Sequence, residues 1–132
     1  GGAGSDILYS EAGATLDGGA GDDYAFGGDG NNTLFVGPGA DILKGGFGVN
    51  NFVLAKPNNA LPRILNFDPA RDHLTVSASL IEGGAPALAT KIAAASMEDG
   101  RLVVTFGPQA RLAFSGLTLA DLPALTAAST AN

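Results

Sequence analysis

The chain has no cysteine and one histidine, His73. Without cysteine there are no disulfides, no thiolate metal sites and no thiol nucleophile. A lone histidine at the start of an apolar stretch reads as a structural or surface residue. No His-Glu-x-x-His helix, no Gly-x-Ser-x-Gly elbow and no EF-hand loop with its closing Glu can be drawn in the sequence. There is no run of about 18 apolar residues, so no helical membrane span is expected, and the amino-terminal residues lack the basic and apolar regions of a general secretory signal. The chain does not begin with Met, so it is read as a fragment, with the amino-terminal remainder of a parent protein as an expected partner. Positive charge is scarce in the first half: residues 1–53 hold seven acids and one base, Lys44, for a net charge of −6, while residues 54–132 hold six of each. That asymmetry argues against nucleic acid as a partner.

Glycine is present in excess, 20 in 132 residues, and its placement is periodic. The nine-residue phrases GGAGSDILY, GGAGDDYAF, GGDGNNTLF, VGPGADILK and GGFGVNNFV begin at Gly1, Gly18, Gly27, Val36 and Gly45, and the stretch Ser10 to Asp17 reads as a decayed copy one residue short. In each unit the first six residues suit a turn in which glycines take positive φ. The last three suit a short strand whose central residue faces the interior. Those central residues are Leu8, Leu16, Ala25, Leu34, Leu43 and Phe52, all apolar. Two units make one coil, so alternate units stack into two parallel sheets with a column of turns along each edge. The same spacing excludes a dinucleotide fingerprint, because the place of its third glycine is taken by Ile7, Tyr24, Thr33, Ile42 or Asn51.

The phrases match G-G-x-G-x-D-x-U-x, with U a large apolar residue, in four consecutive units from Gly18 to Val53 and a fifth at Gly1. On these residues the chain resembles the repeats-in-toxin (RTX) family, whose repeat blocks lie near the carboxyl end of secreted bacterial toxins, proteases, lipases and alginate epimerases. The resemblance implies an all-β fold: a parallel β-roll, that is a calcium-binding right-handed β-helix, over residues 1–53, then a small antiparallel β cap over residues 54–132. It also implies Ca²⁺ as the cofactor, with two to four ions, each held between two turns of one column. Ca²⁺ takes six to eight oxygens, which carboxylates and backbone carbonyls supply together.

Carried over to this sequence, the resemblance places one site between Gly2, Gly4 and Asp6 below and Gly18, Ala20 and Asp23 above. A second lies between Gly19, Gly21 and Asp23 below and Val36, Pro38 and Asp41 above, so that Asp23 bridges both ions. The other column departs from the pattern, with sixth positions read as Thr15, Asn32 and Asn50. Its site, from Gly28, Gly30 and Asn32 with Gly45, Phe47 and Asn50, has neutral amides in place of carboxylates and is expected to bind more weakly. Asp17, Asp22 and Asp29 read as solvated turn charges.

The outward positions of one sheet, Ile7, Tyr9, Tyr24, Phe26, Ile42 and Lys44, form a face too apolar for water. Packing against the carboxyl half or the amino-terminal remainder is expected there. After Val53 the glycine rhythm stops. Arg63–Phe67 and His73–Ser77 read as strands around the turn Asp68–Asp72, Lys91–Met97, Arg101–Phe106 and Arg111–Phe114 as antiparallel strands, and Leu117–Leu122 as a helical turn before a tail. Both ILNFDPARDHLTVS and RLVVTFGPQARLAFSGLTLADL resemble the family's post-repeat segments. The implied function is a calcium-binding module that folds on Ca²⁺ after export by a type I secretion machine and stabilises a larger secreted, extracellular bacterial protein, without being an enzyme itself. Two other classes fit less well: a non-catalytic module of a secreted enzyme such as an alginate epimerase, with polysaccharide as partner, and part of a protease or lipase catalytic domain.

Overall fold

The computed structural model describes all residues from Gly1 to Asn132. Eight short strands alternate between two sheets: β1 (Ile7–Tyr9), β2 (Thr15–Asp17), β3 (Tyr24–Phe26), β4 (Thr33–Val36), β5 (Ile42–Lys44), β6 (Asn51–Leu54), β7 (Arg63–Leu65) and β8 (His73–Val76). The odd strands stack in the order β1-β3-β5-β7 and the even ones in the order β2-β4-β6-β8, every neighbour parallel. This is a parallel β-roll of four coils. Its registers follow the nonapeptide: Leu8 pairs with Ala25, Ala25 with Leu43 and Leu43 with Ile64 in one sheet, and Leu16 with Leu34, Leu34 with Phe52 and Phe52 with Leu74 in the other. All of these inward residues are buried except Leu8, which packs at the open end. Period-two alternation in strands of three or four residues leaves one or two core positions per strand, so the stacking of coils builds the core.

The roll therefore runs past Val53. β7 and β8 lack the glycine phrase but extend both sheets, because Ile64 and Leu74 stand where the repeats put their apolar residue. Beyond them come α1 (Leu88–Ala93), β9 (Ser96–Glu98), β10 (Arg101–Gly107), β11 (Ala110–Ser115), α2 (Leu122–Ala128) and β12 (Ser129–Ala131). β11 joins β7 in parallel, then pairs antiparallel with β10, which pairs antiparallel with β9. β12 closes the other sheet by pairing in parallel with β8. Phe114, set opposite Ile64 on β11, meets Phe67 edge-on at 5.4 Å, and Phe67 meets Phe52 at 5.6 Å, so an aromatic chain ties the roll to the cap.

Two expectations need correction here. The strand expected at Lys91–Met97 is instead α1 followed by the short β9. An alanine-rich run favours helix, and Leu88 and Ile92, four apart, bury one face of it. The helical turn expected at Leu117–Leu122 forms at Leu119–Asp121, with Thr118 and Asp121 in a capping box, but continues into α2, and the tail is a strand. On the apolar outer face Ile7 is 79% and Tyr9 68% exposed, whereas Phe26, Ile42 and Lys44 are half-buried. No helix is long and apolar enough to cross a membrane.

Candidate metal centre

One turn column carries Asp6, Asp23 and Asp41, as the spacing requires, and successive turns are linked through these carboxylates. The Asp6 N–H donates to Asp23 Oδ1 at 2.9 Å and the Asp23 N–H to Asp41 Oδ1 at 3.0 Å. In the outer two turns the second residue, a glycine in both, also closes onto its own turn's carboxylate, Gly2 N–H to Asp6 Oδ2 and Gly37 N–H to Asp41 Oδ2, both at 3.1 Å. The middle turn differs. The Gly19 N–H donates to Asp17 Oδ1 instead, which leaves Asp23 Oδ2 buried with no partner at all. Asp23 is 3% and Asp41 4% exposed. Burial, reinforced by the neighbouring charges of Asp23 and Asp22, raises the Asp41 pKa from its ordinary value despite the backbone N–H bonds it accepts.

A buried carboxylate oxygen without a donor is costly unless a cation answers it. No three Asp, Glu or His side chains converge, so a cation here takes most of its oxygens from the backbone. The turns are built for that. Gly19 has φ +86°, and a Cβ on it would collide with the Gly2 carbonyl oxygen; Gly21 has φ +117° and stands in the same relation to the Gly4 carbonyl. Only glycine lets the turns approach so closely. Some of the expected carbonyl ligands also accept N–H bonds from adjacent turns, Gly2 from Ala20, Ala20 from Gly4 and Pro38 from Gly21, and each carbonyl has a second lone pair. The donor set of hard oxygens plus two buried carboxylates fits Ca²⁺.

The other column is brought together just as closely but with different chemistry. Asn32 Nδ2 lies 3.0 Å from the Gly28 carbonyl, 3.3 Å from the Gly30 carbonyl and 3.0 Å from Asn50 Oδ1, while Asn32 Oδ1 accepts from the Ala14 N–H. Asn50 Nδ2 donates to the Gly46 carbonyl and to Asp72 Oδ1. The register pairs Thr15 with Thr33, so Thr15 is a seventh-position residue and Ala14, not Thr15, stands sixth in the decayed unit. The Phe47 side chain points away, 75% exposed.

Two residues that matter here escaped the sequence reading. Asp72 stands sixth in the frame Phe67–Thr75 and continues the column, accepting from the Asn50 and Asp68 N–H groups. The signal was an aspartate two residues before the buried Leu74. Asn58 sits above the Asp41 turn, with Nδ2 2.8 Å from the Gly39 carbonyl and 3.2 Å from that of Gly37; no spacing rule pointed to it. Asp22 and Asp17 also do more than face solvent, since Asp22 Oδ1 accepts from the Ala40 N–H of the next turn and Asp17 Oδ1 from Gly19.

A cleft of about 480 Å³ opens beside the second column, between outward residues of the odd sheet (Tyr9, Phe26, Lys44) and turn residues including Phe47 and Arg71, with Asp29 on its wall.

Stacked nonapeptide turns with an aspartate column at one edge define a calcium-type repeat solenoid. The model of the RTX calcium-binding nonapeptide repeat matches in four copies over residues 1–16 and 17–52, so these residues carry RTX repeats, a type that binds Ca²⁺ and occurs in secreted bacterial proteins. Such a repeat block is a non-catalytic calcium-binding module. No curated relative matches. Among solved structures, the chain is similar to the solution structure of the AlgE6R3 subunit from the Azotobacter vinelandii mannuronan C5-epimerase, at 28% identity and a TM-score of 0.71, over 98% of this chain and 80% of that one.

Proposed function

We propose that this chain is a calcium-driven folding module of a larger secreted protein. Gly2, Gly4, Asp6, Gly18, Ala20 and Asp23 form one station for Ca²⁺, and Gly19, Gly21, Asp23, Val36, Pro38 and Asp41 a second. The observation that carries the reading is the buried, unpartnered Asp23 Oδ2 beside the equally buried Asp41 carboxylate. A bound Ca²⁺ supplies the positive charge that these two buried carboxylates lack inside the roll, and the partner that Asp23 Oδ2 lacks. Without it, the net −6 of residues 1–53 repels itself and the glycines lose backbone entropy on ordering, so the repeats stay open. Each station at a hundredfold excess of Ca²⁺ over its dissociation constant adds about 2.7 kcal/mol.

Residues 54–132 act in this scheme as cap and folding nucleus, since β10 and β11 carry a dense set of buried apolar residues that owes nothing to the carboxylates. The module leaves a calcium-poor cytoplasm open, through a type I machine, and closes outside. Far-ultraviolet circular dichroism with Ca²⁺ and with chelator tests this. Strand signal from the repeat half is expected to disappear in chelator and return with Ca²⁺; an unchanged spectrum would sink the idea.

A second reading is supported by the cleft. Lys44 and Arg71 beside Tyr9, Phe26 and Phe47 offer cations and aromatic faces to an anionic sugar chain, and the similar structure comes from an enzyme named for mannuronan. Loss of both charges in Lys44→Ala/Arg71→Ala is expected to weaken binding of an oligomannuronate about tenfold, roughly 1.4 kcal/mol, read by calorimetry in Ca²⁺. Equal binding by variant and wild type would remove this function from the cleft.

A further inference from the structure

We propose that the asparagine column is an ion-free edge, in which side-chain amide nitrogens stand where the aspartate column leaves its carbonyls open to Ca²⁺, so that the module carries calcium along one edge only. The inference rests on the calcium reading of the aspartate column.

The comparison is between equivalent atoms. In the family pattern the carbonyls of a turn's second and fourth residues face the ion. In the Gly27 turn these are Gly28 and Gly30, and both are met by Asn32 Nδ2, which also meets Asn50 Oδ1. Three of the six groups expected to hold an ion are thus already directed at one nitrogen. In the Gly45 turn, Asn50 Nδ2 takes the Gly46 carbonyl. At the top of the aspartate column the corresponding pair, Gly37 and Gly39, is taken by Asn58 Nδ2, which ends that column. The pairs that no side-chain amide reaches are Gly2 with Gly4 and Gly19 with Gly21, and these belong to the two stations that carry aspartates.

The amide orientation is fixed by its surroundings. A flipped Asn32 would set its oxygen against two carbonyl oxygens and its nitrogen against the Ala14 N–H, which already donates to Oδ1 at 2.9 Å. An amide N–H₂ offers two partly positive hydrogens to an oxygen cradle and carries no net charge, so the Asn32–Asn50 station is satisfied without a carboxylate and without a cation, and the Asp72 carboxylate above it is met by N–H groups of Asn50 and Asp68. Displacing it would break several hydrogen bonds at a station holding no formal negative charge, and ligand charge sets affinity for Ca²⁺. The result is one edge that closes only with calcium and an opposite edge that is held by side chains.

Ion counting by native mass spectrometry on the full chain in Ca²⁺ tests this. Wild type is expected to hold two ions, Asn32→Asp/Asn50→Asp at least three, and Asn32→Ala still two. Asn32→Ala is also expected to lower the melting temperature in Ca²⁺, where the repeats are folded. Four ions on wild type, a count that falls in Asn32→Ala, or a double variant that stays at two would each overturn the ion-free edge while leaving calcium binding by the aspartates intact. No ion on wild type would overturn the calcium reading itself, and the proposal with it.

Discussion

Asp23→Ala is expected to lose both calcium ions at once, whereas Asp6→Ala or Asp41→Ala loses one. Asp23 is the only side chain placed between the two stations, its Oδ1 accepting from the Asp6 N–H of the turn below and its own N–H donating to Asp41 Oδ1 above. Its second oxygen has no protein partner. Alanine removes the shared carboxylate and the link to Asp6 together. With each ion contributing about 2.7 kcal/mol at a hundredfold excess, two ions come to about 5 kcal/mol, comparable with the whole stability of a small domain. The variant in Ca²⁺ should therefore give the circular dichroism spectrum of chelated wild type. A variant that binds one ion, or that stays folded, would show that the stations are independent or that they do not stabilise the roll.

Phe114→Ala is expected to destabilise the chain by about 3–5 kcal/mol, equally with Ca²⁺ and with chelator. Phe114 is fully buried, pairs with Ile64 across β7 and β11, and holds Phe67 edge-on. Truncation opens a cavity at the joint between coil and cap. Urea unfolding under both conditions measures it. A loss under about 1 kcal/mol would mean that the joint relaxes around the gap, and a loss seen only in Ca²⁺ would mean that the cap does not hold itself together.

How much of this was legible in the sequence varies with how periodic the residues are. From Gly18 to Val53 the spacing alone places Leu34, Leu43 and Phe52 inside and aligns Asp23 with Asp41, and the registers agree at each pair. The decayed unit misled by one position, because a single missing residue can be absorbed on either side of the turn, and only the strand pairing of Thr15 with Thr33 decides which. Ile64 and Leu74 continue the coil without any glycine phrase, so the fourth coil is recognised by its pairing, with Asp72 two residues before Leu74 as the one trace of the repeat. Lys91–Met97 does not alternate, and its alanine run together with the Leu88–Ile92 spacing forms helix. Asn58 and the amide contacts of Asn32 were not legible, because they depend on where an amide points once the turns are stacked. The identity of a sixth-position asparagine reports the loss of a charge and not the gain of a donor.

The central claim is that calcium closes the aspartate edge through Asp23, and calorimetric titration of the wild-type chain and of Asp23→Ala with Ca²⁺ measures it most directly. The account predicts a stoichiometry of two, cooperative because one carboxylate serves both stations, and no calcium heat from the variant. A variant that binds as wild type does, or a wild type that gives no heat, would contradict it and leave the roll as a scaffold that stands without calcium.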